Sequence, residues 1–215
     1  MKSKTKTRAS RFAVPVATAS LIAAGIIAPS TATAEDTYVY VVNQSTHMVA
    51  EVFAHNTDEG GAIVLWANYG GQSEQFKVEP QGDGWFGLVA KHSGKCLGRT
   101  LDTTKNTVLQ QECSGLSSNP IGTRNLWRTQ EIPKTASDCA NPNQCFGGSR
   151  TVIQNQYGGG RFCLDADNGR APNPPVQGAR LQAWPCITKY SGWNAVNQDW
   201  QLVNVQDWGT GPHVH

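Results

Sequence analysis

The sequence predicts an all-β protein, either closed on itself or built as two packed sheets. Three observations lead there. Short apolar or alternating runs recur along the chain, each bounded by Gly, Pro, Asn or Ser. With 22 glycines and 11 prolines, turn signals separate these runs at intervals of roughly eight to twelve residues. No window of useful length places apolar residues at three-four spacing among helix formers, so helices are not the main element.

Taken in order, the runs justify themselves by composition. Tyr38–Val42 is aromatic and β-branched throughout, the residue types that strands favour. Met48–Phe53 and Ala62–Trp66 are short apolar stretches between polar turns, and Phe76–Val78 is briefer still. Trp85–Ala90 follows the Gly82-Asp83-Gly84 turn signal. Thr107–Gln111, Arg150–Gln154, Arg161–Leu164, Ala179–Trp184 and Trp200–Val205 complete the set. Roughly a dozen short strands fit a barrel or a sandwich equally well.

The first 34 residues read as an export signal. Lys2, Lys4, Lys6, Arg8 and Arg11 make a basic start, Phe12–Ala28 is apolar and small, and Ala32-Thr33-Ala34 has the form of a cleavage site. Without that segment, 13 Lys and Arg face 16 Asp and Glu, a formal charge of −3. No cationic field then recruits a polyanion, which argues against nucleic acid. No later segment is long and apolar enough to insert in a membrane. The expected organisation is a signal peptide over 1–34, one domain over 35–206 and a tail over 207–215, secreted to the extracellular space.

All six cysteines, Cys96, Cys113, Cys139, Cys145, Cys163 and Cys186, fall after that segment. An even count in an exported chain argues for three disulfides, and the sequential pairing 96–113, 139–145 and 163–186 is the simplest of the 15 possible. The spacings are wrong for tight thiolate pairs around zinc, and no metal or cofactor is expected.

A threefold repeat organises the chain. Phe76, Trp127 and Trp200 each close a similar phrase, 51 and 73 residues apart. Upstream of each lies an apolar strand, and further upstream a short phrase: Val49-Ala50-Glu51-Val52, Lys95-Cys96-Leu97-Gly98 and Phe162-Cys163-Leu164-Asp165. The units run over about 37–82, 84–133 and 147–206. Three equivalent large aromatics are expected to share a core. Trp66 and Trp184 hold matching places before a loop and are expected on a rim.

In the third unit the phrases Cys163-Leu164-Asp165, Leu181-Gln182-Ala183-Trp184-Pro185-Cys186 and Asn197-Gln198-Asp199-Trp200 stand together. They resemble the ricin B-chain-like β-trefoil lectin family, in its actinobacterial carbohydrate-binding-module form. The resemblance covers about 38–205, is strong in the third unit and degenerate in the other two. It implies a β-trefoil of three pseudo-repeats, six strands closing a barrel and six capping it, with up to one carbohydrate site per unit. It places the sugar-binding acid at Asp165, the stacking ring at Trp184 and the polar pair at Asn197 and Gln198. The chemistry is coherent. A carboxylate accepts from hydroxyls, an amide both donates and accepts, and an indole offers a flat apolar face. Asn197 is expected to donate to the sugar, Gln198 to brace Asp165 and Gln182 to be structural.

The first unit departs from the pattern, with Glu51 for the acid, Trp66 retained, and Ser73-Glu74 for the polar pair. Glu51, Trp66 and Glu74 form a possible second site, with Asn43, Asn68 and Tyr69 near its rim. The second unit has Gly98, Gln111 and Arg124-Asn125 in those places, lacking both acid and ring; it is expected to be scaffold, and nothing supports Asp102 as a substitute.

The expected function is secreted, non-catalytic carbohydrate binding through the third unit. The resemblance implies glycans or polysaccharides containing galactose, arabinose or xylose, with a separate secreted enzyme as a possible partner. A protein-binding or protease-inhibiting β-trefoil is the alternative, acting through Ser114–Arg124 or the Cys139–Cys145 loop. A glycoside hydrolase would need two opposed carboxylates, for which Asp165 and Asp167 are the nearest approach. His47, His55 and His92 stand alone, with no nucleophile phrase beside them.

Overall fold

Twelve strands and a few 3-10 turns make up the chain in a computed structural model, which describes residues 37–100, 106–113, 124–133, 149–167, 174–187 and 196–209. The strands are β1 (Tyr38–Asn43), β2 (Val49–Val52), β3 (Ile63–Trp66), β4 (Phe76–Gly82), β5 (Trp85–Ala90), β6 (Cys96–Arg99), β7 (Val108–Gln111), β8 (Leu126–Pro133), β9 (Ser149–Asn155), β10 (Phe162–Ala166), β11 (Leu181–Pro185) and β12 (Trp200–Asn204). They fall into three groups of four, matching the repeat read in the sequence.

Six strands form the barrel wall, all pairing antiparallel: β12 with β1, then β1 with β4, β4 with β5, β5 with β8, and β8 with β9. Among the described residues β9 and β12 share no ladder. There the Thr151 N–H donates instead to Asp199 Oδ1 at 3.3 Å. The hairpins β2–β3, β6–β7 and β10–β11 cap one end. Single bridges tie the three caps into a triangle: Ala62 to Leu109, Val64 to Arg180 and Thr107 to Gln182. This is the β-trefoil arrangement, and it resolves the choice between barrel and sandwich.

Phe76, Trp127 and Trp200 are buried within one shared core, as expected from their equivalence. Each indole is further fixed by a hydrogen bond to the cap hairpin of its own unit: Trp127 Nε1 donates to the Leu97 carbonyl at 2.8 Å and Trp200 Nε1 to the Leu164 carbonyl at 2.9 Å. Phe76 lacks an N–H and fills the same place by packing alone. The caps send Ala50, Leu97 and Leu164 to this core, so their neighbours Glu51, Gly98 and Asp165 must point the other way. That alternation puts the candidate site residues on the outer face of each hairpin.

Two strands escaped the composition reading. β6 (Cys96–Arg99) is four residues long and contains Gly98, while β8 (Leu126–Pro133) carries Arg, Thr, Gln, Glu and Pro. Both are held by ladder partners, which outweigh weak intrinsic strand preference. β4 also runs past Val78 to Gly82, with a register shift between Pro80 and Gly82. Disulfides join Cys96 to Cys113 and Cys163 to Cys186. Cys139 and Cys145 lie outside the described residues, as do 1–36 and most of the loop 114–124. At the other end, the Trp208 ring packs edge-on against Tyr40 with centroids 5.1 Å apart.

Candidate functional site

The β10–β11 register sets Cys163 opposite Trp184 and Asp165 opposite Gln182. Paired residues share a face, so Asp165 and Trp184 stand on the same side of the hairpin, one diagonal step apart. Pro185 ends β11 and Cys186, bonded to Cys163, pins the chain there. A 3-10 turn at residues 196–198 then brings Asn197 and Gln198 over the same face.

At the centre is a carboxylate held by three amides. Asp165 Oδ1 accepts from Gln182 Nε2 at 2.9 Å; Oδ2 accepts from Asn197 Nδ2 at 2.7 Å and from Gln198 Nε2 at 2.8 Å. Gln198 is itself fixed, since its Oε1 accepts the Ile187 N–H at 2.9 Å and its Nε2 also reaches the Pro185 carbonyl at 3.2 Å. Asp165 is only 1% exposed, and burial pushes its carboxyl up to about 6 despite the three donors. Trp184 is 48% exposed beside it.

This geometry gathers all four residues expected from the sequence, and Gln182 with them. Asn197 uses one of its two N–H groups on Asp165, while its Oδ1 is buried with no hydrogen-bond partner. Gln182 donates directly to the carboxylate and so braces it. Of the carboxylate's four or so acceptor directions, three are filled, leaving one on Oδ1.

The first unit is built on the same plan and closed differently. Glu51 sits opposite Val64 and is 4% exposed. The Tyr69 hydroxyl donates to Glu51 Oε1 at 2.9 Å and lies 2.8 Å from Ser73 Oγ, which in turn meets His55 Nδ1 at 3.4 Å. His55, isolated in the sequence, is thus part of a chain of polar contacts, and its ring lies 5.9 Å from that of Tyr69. Ser73 is buried behind the Tyr69 hydroxyl. Glu74 is fully buried, and its carboxylate accepts the Tyr69, Gly70 and Gly71 N–H groups between 2.9 and 3.3 Å. Burial raises it to about 7. Glu74 therefore staples the 69–71 loop, the place in the fold that Gln198 holds in the third unit. Trp66 is half-buried, its ring centroid 6.4 Å from that of Phe53, which is 50% exposed. Asn43 is not on the rim but buried, its amide donating to the Val196 carbonyl at 2.9 Å. Asn68 turns inward on its own loop, accepting the Gly70 N–H at 2.9 Å.

In the second unit the vacancy left by the missing acid is already filled. A Cβ built on Gly98 would lie 1.9 Å from Gln111 Nε2 and 2.0 Å from Asn125 Oδ1, both buried side chains. Restoring the acid with Gly98→Asp is therefore expected not to restore a site. It should lower stability by about 1–3 kcal/mol through overpacking, measured by chemical denaturation, with no gain in glycan binding. Among the described residues no group of three His, Cys, Asp or Glu side chains is placed to hold a metal ion.

Comparison with known proteins agrees with the β-trefoil fold. A family model described as ricin-type beta-trefoil lectin domain-like matches residues 27–112. The chain is similar in structure to a designed threefold symmetric protein, ThreeFoil, at 23% identity and a TM-score of 0.55, covering 77% of this chain and 97% of that one. It is similar to a ricin B-like lectin from Macrolepiota procera in complex with lactose, at 14% identity and 0.51, covering 80% and 99%. An exo-β-1,3-galactanase from Clostridium thermocellum matches at 21% identity and 0.56, covering 80% of this chain and 31% of that enzyme. No curated protein matches the chain in sequence.

Proposed function

From the ricin-type β-trefoil lectin-like domain that this chain carries, we propose that it binds carbohydrate without catalysis, through the outer face of the β10–β11 hairpin. The observation that supports this most is the Asp165 carboxylate, fixed by three amides beside the half-exposed indole of Trp184. A ring hydroxyl donates to the remaining direction on Asp165 Oδ1, the second N–H of Asn197 donates to a neighbouring hydroxyl, and the C–H face of the sugar rests on Trp184.

The reading as a binder and not a hydrolase follows from the state of the acid. Both Asp165 oxygens already accept hydrogen bonds from amides, so it is held for recognition and not poised opposite a second carboxylate for bond cleavage. Galactose-containing glycans head the candidate ligands, with arabinose- and xylose-containing polysaccharides behind them. The structural relatives include a lectin bound to lactose and a galactanase, which favours galactose. Two disulfides fit an oxidising, extracellular setting, and no helix among the described residues is long and apolar enough to cross a membrane. In this reading residues 1–34 direct export and the domain acts alone or beside a secreted polysaccharidase.

The test is a glycan array probed with wild type and with Asn197→Ala, a change that removes both amide N–H groups, one of which holds Asp165. Wild type is expected to select galactose-, arabinose- or xylose-bearing glycans, and the variant to lose about tenfold or more of that signal. An array on which wild type binds no saccharide, or the variant binds as wild type does, overturns the proposal.

A further inference from the structure

The turn Gln156-Tyr157-Gly158-Gly159-Gly160-Arg161 joins β9 to β10, and its three glycines take φ of 94°, 71° and 75°. All three lie in the left-handed region that only glycine enters freely. The run matters because three arginines end on it. Arg161 donates from Nε to the Gly158 carbonyl at 3.2 Å. Arg99, at the end of β6, reaches the Tyr157 carbonyl from Nη1 at 3.4 Å, with Nη1 3.5 Å from where a Gly158 Cβ would stand. Arg128, on β8, donates from Nε to Gln154 Oε1 at 2.8 Å and places Nη2 3.3 Å from where a Gly160 Cβ would stand.

None of the three meets a carboxylate. Lys77 and Lys95, in contrast, pair with Glu79 and Glu112. Aromatic faces support the guanidinium groups instead, Phe162 at 3.8 Å from Arg99 and Trp85 at 4.5 Å from Arg128. Arg99 is the most informative. It is 3% exposed, its Nε has no partner, and the other two units put Val52 and Ala166 in its place. A buried cation without a counter-charge is costly, and here two more positive groups lie against the same turn. Among the described residues the arrangement lacks an anion.

The geometry points to a second binding site on the 156–161 turn, for an anionic group carried by a glycan, either the carboxylate of a uronic acid or a sulfate ester. Arg128 and Arg161 are the contacting groups, since the former is half-buried and the latter exposed. The guanidinium fork matches the two oxygens of either anion, and Arg99 supplies charge from below. The patch spans a single turn of a domain in which acids outnumber bases overall, so it suits one charged substituent and not an extended nucleic acid. Its contacting groups are separate from Asp165 and Trp184, although the turn adjoins that face, the Cys186 N–H donating to the Arg161 carbonyl at 2.9 Å.

The test measures affinity by calorimetry for oligogalacturonide, sulfated galactan oligosaccharide, a neutral galactan oligosaccharide and a single-stranded oligonucleotide. Wild type is compared with Arg128→Gln/Arg161→Gln, with the single exposed change Arg161→Gln as a second variant, and with Arg128→Lys. Wild type is expected to bind one or both anionic oligosaccharides at least tenfold more tightly than the neutral one in low salt, with the preference shrinking in high salt. Binding to whichever anion is recognised distinguishes carboxylate from sulfate. The double variant is expected to lose that preference and keep neutral binding and melting temperature, Arg161→Gln to lose part of it, and Arg128→Lys to fall between. Equal binding of anionic and neutral sugars by wild type, an unchanged preference in the variants, or tighter binding of the oligonucleotide through the same arginines overturns the assignment. Loss of neutral binding in wild type would instead count against the third-unit site alone.

Discussion

Asp165→Ala is expected to remove most saccharide binding and to destabilise the fold as well. The carboxylate is the shared acceptor of Gln182, Asn197 and Gln198. Truncating it leaves three amide N–H groups facing an empty space in a buried setting, and each unsatisfied group costs about 1–3 kcal/mol. Relaxation and water entry offset part of this, so a net loss of roughly 2–4 kcal/mol is expected in chemical denaturation. The same residue gives the protein a pH signature. Its folded-state value of about 6 lies above the ordinary 3.8 because burial disfavours the charge. Protonation therefore favours the folded state, and this group's contribution to stability falls as pH rises from about 4 to about 6 and is level above that. Ligand hydroxyls, in contrast, donate to the ionised form, so binding strengthens over that interval. Lowering the pH from 7 to 5 should weaken glycan affinity by up to about tenfold, with no destabilisation arising from this residue. Calorimetric titrations at several pH values read the first effect and denaturation the second. Affinity flat across the interval would show that the carboxylate does not meet the ligand.

The second large effect concerns the core. Trp127→Ala removes the largest of the fully buried side chains and with it the donor to the Leu97 carbonyl. A loss of about 3–5 kcal/mol is expected. Trp127→Phe should cost only about 1–2 kcal/mol, since the chain already uses Phe76 in the equivalent place and only the hydrogen bond is lost. A guanidinium denaturation series on the two variants checks both figures. Equal losses for Ala and Phe would mean that the indole hydrogen bond, and not the volume, holds the second unit.

The sequence was informative where the three units repeat and silent where they diverge. The aromatics Phe76, Trp127 and Trp200 could be placed in one core because their spacing marks equivalent positions, and equivalent positions in a threefold barrel converge. The third-unit site was visible for the same reason, as its residues lie in short phrases whose alternation puts them on one face. Composition left barrel and sandwich open, because both need short antiparallel strands with turns between them; the pairing of β12 with β1 decides it. Side chains that cross between segments were harder. Tyr69 reaching Glu51, Glu74 capping its own loop and Gln111 with Asn125 filling the space beside Gly98 all depend on where loops return. No pattern marks Arg99 as buried either, since nothing local shows that Phe162, 63 positions on, will lie under its guanidinium.

Trp184→Ala tests the proposed saccharide face most directly, because the ring is 48% exposed and its removal leaves the Asp165 network and the core untouched. Against whichever neutral glycan wild type selects, calorimetry should show affinity reduced by about tenfold or more, with the melting temperature unchanged. Wild-type affinity in this variant would contradict the account, since a sugar resting beside Asp165 must lie against that indole.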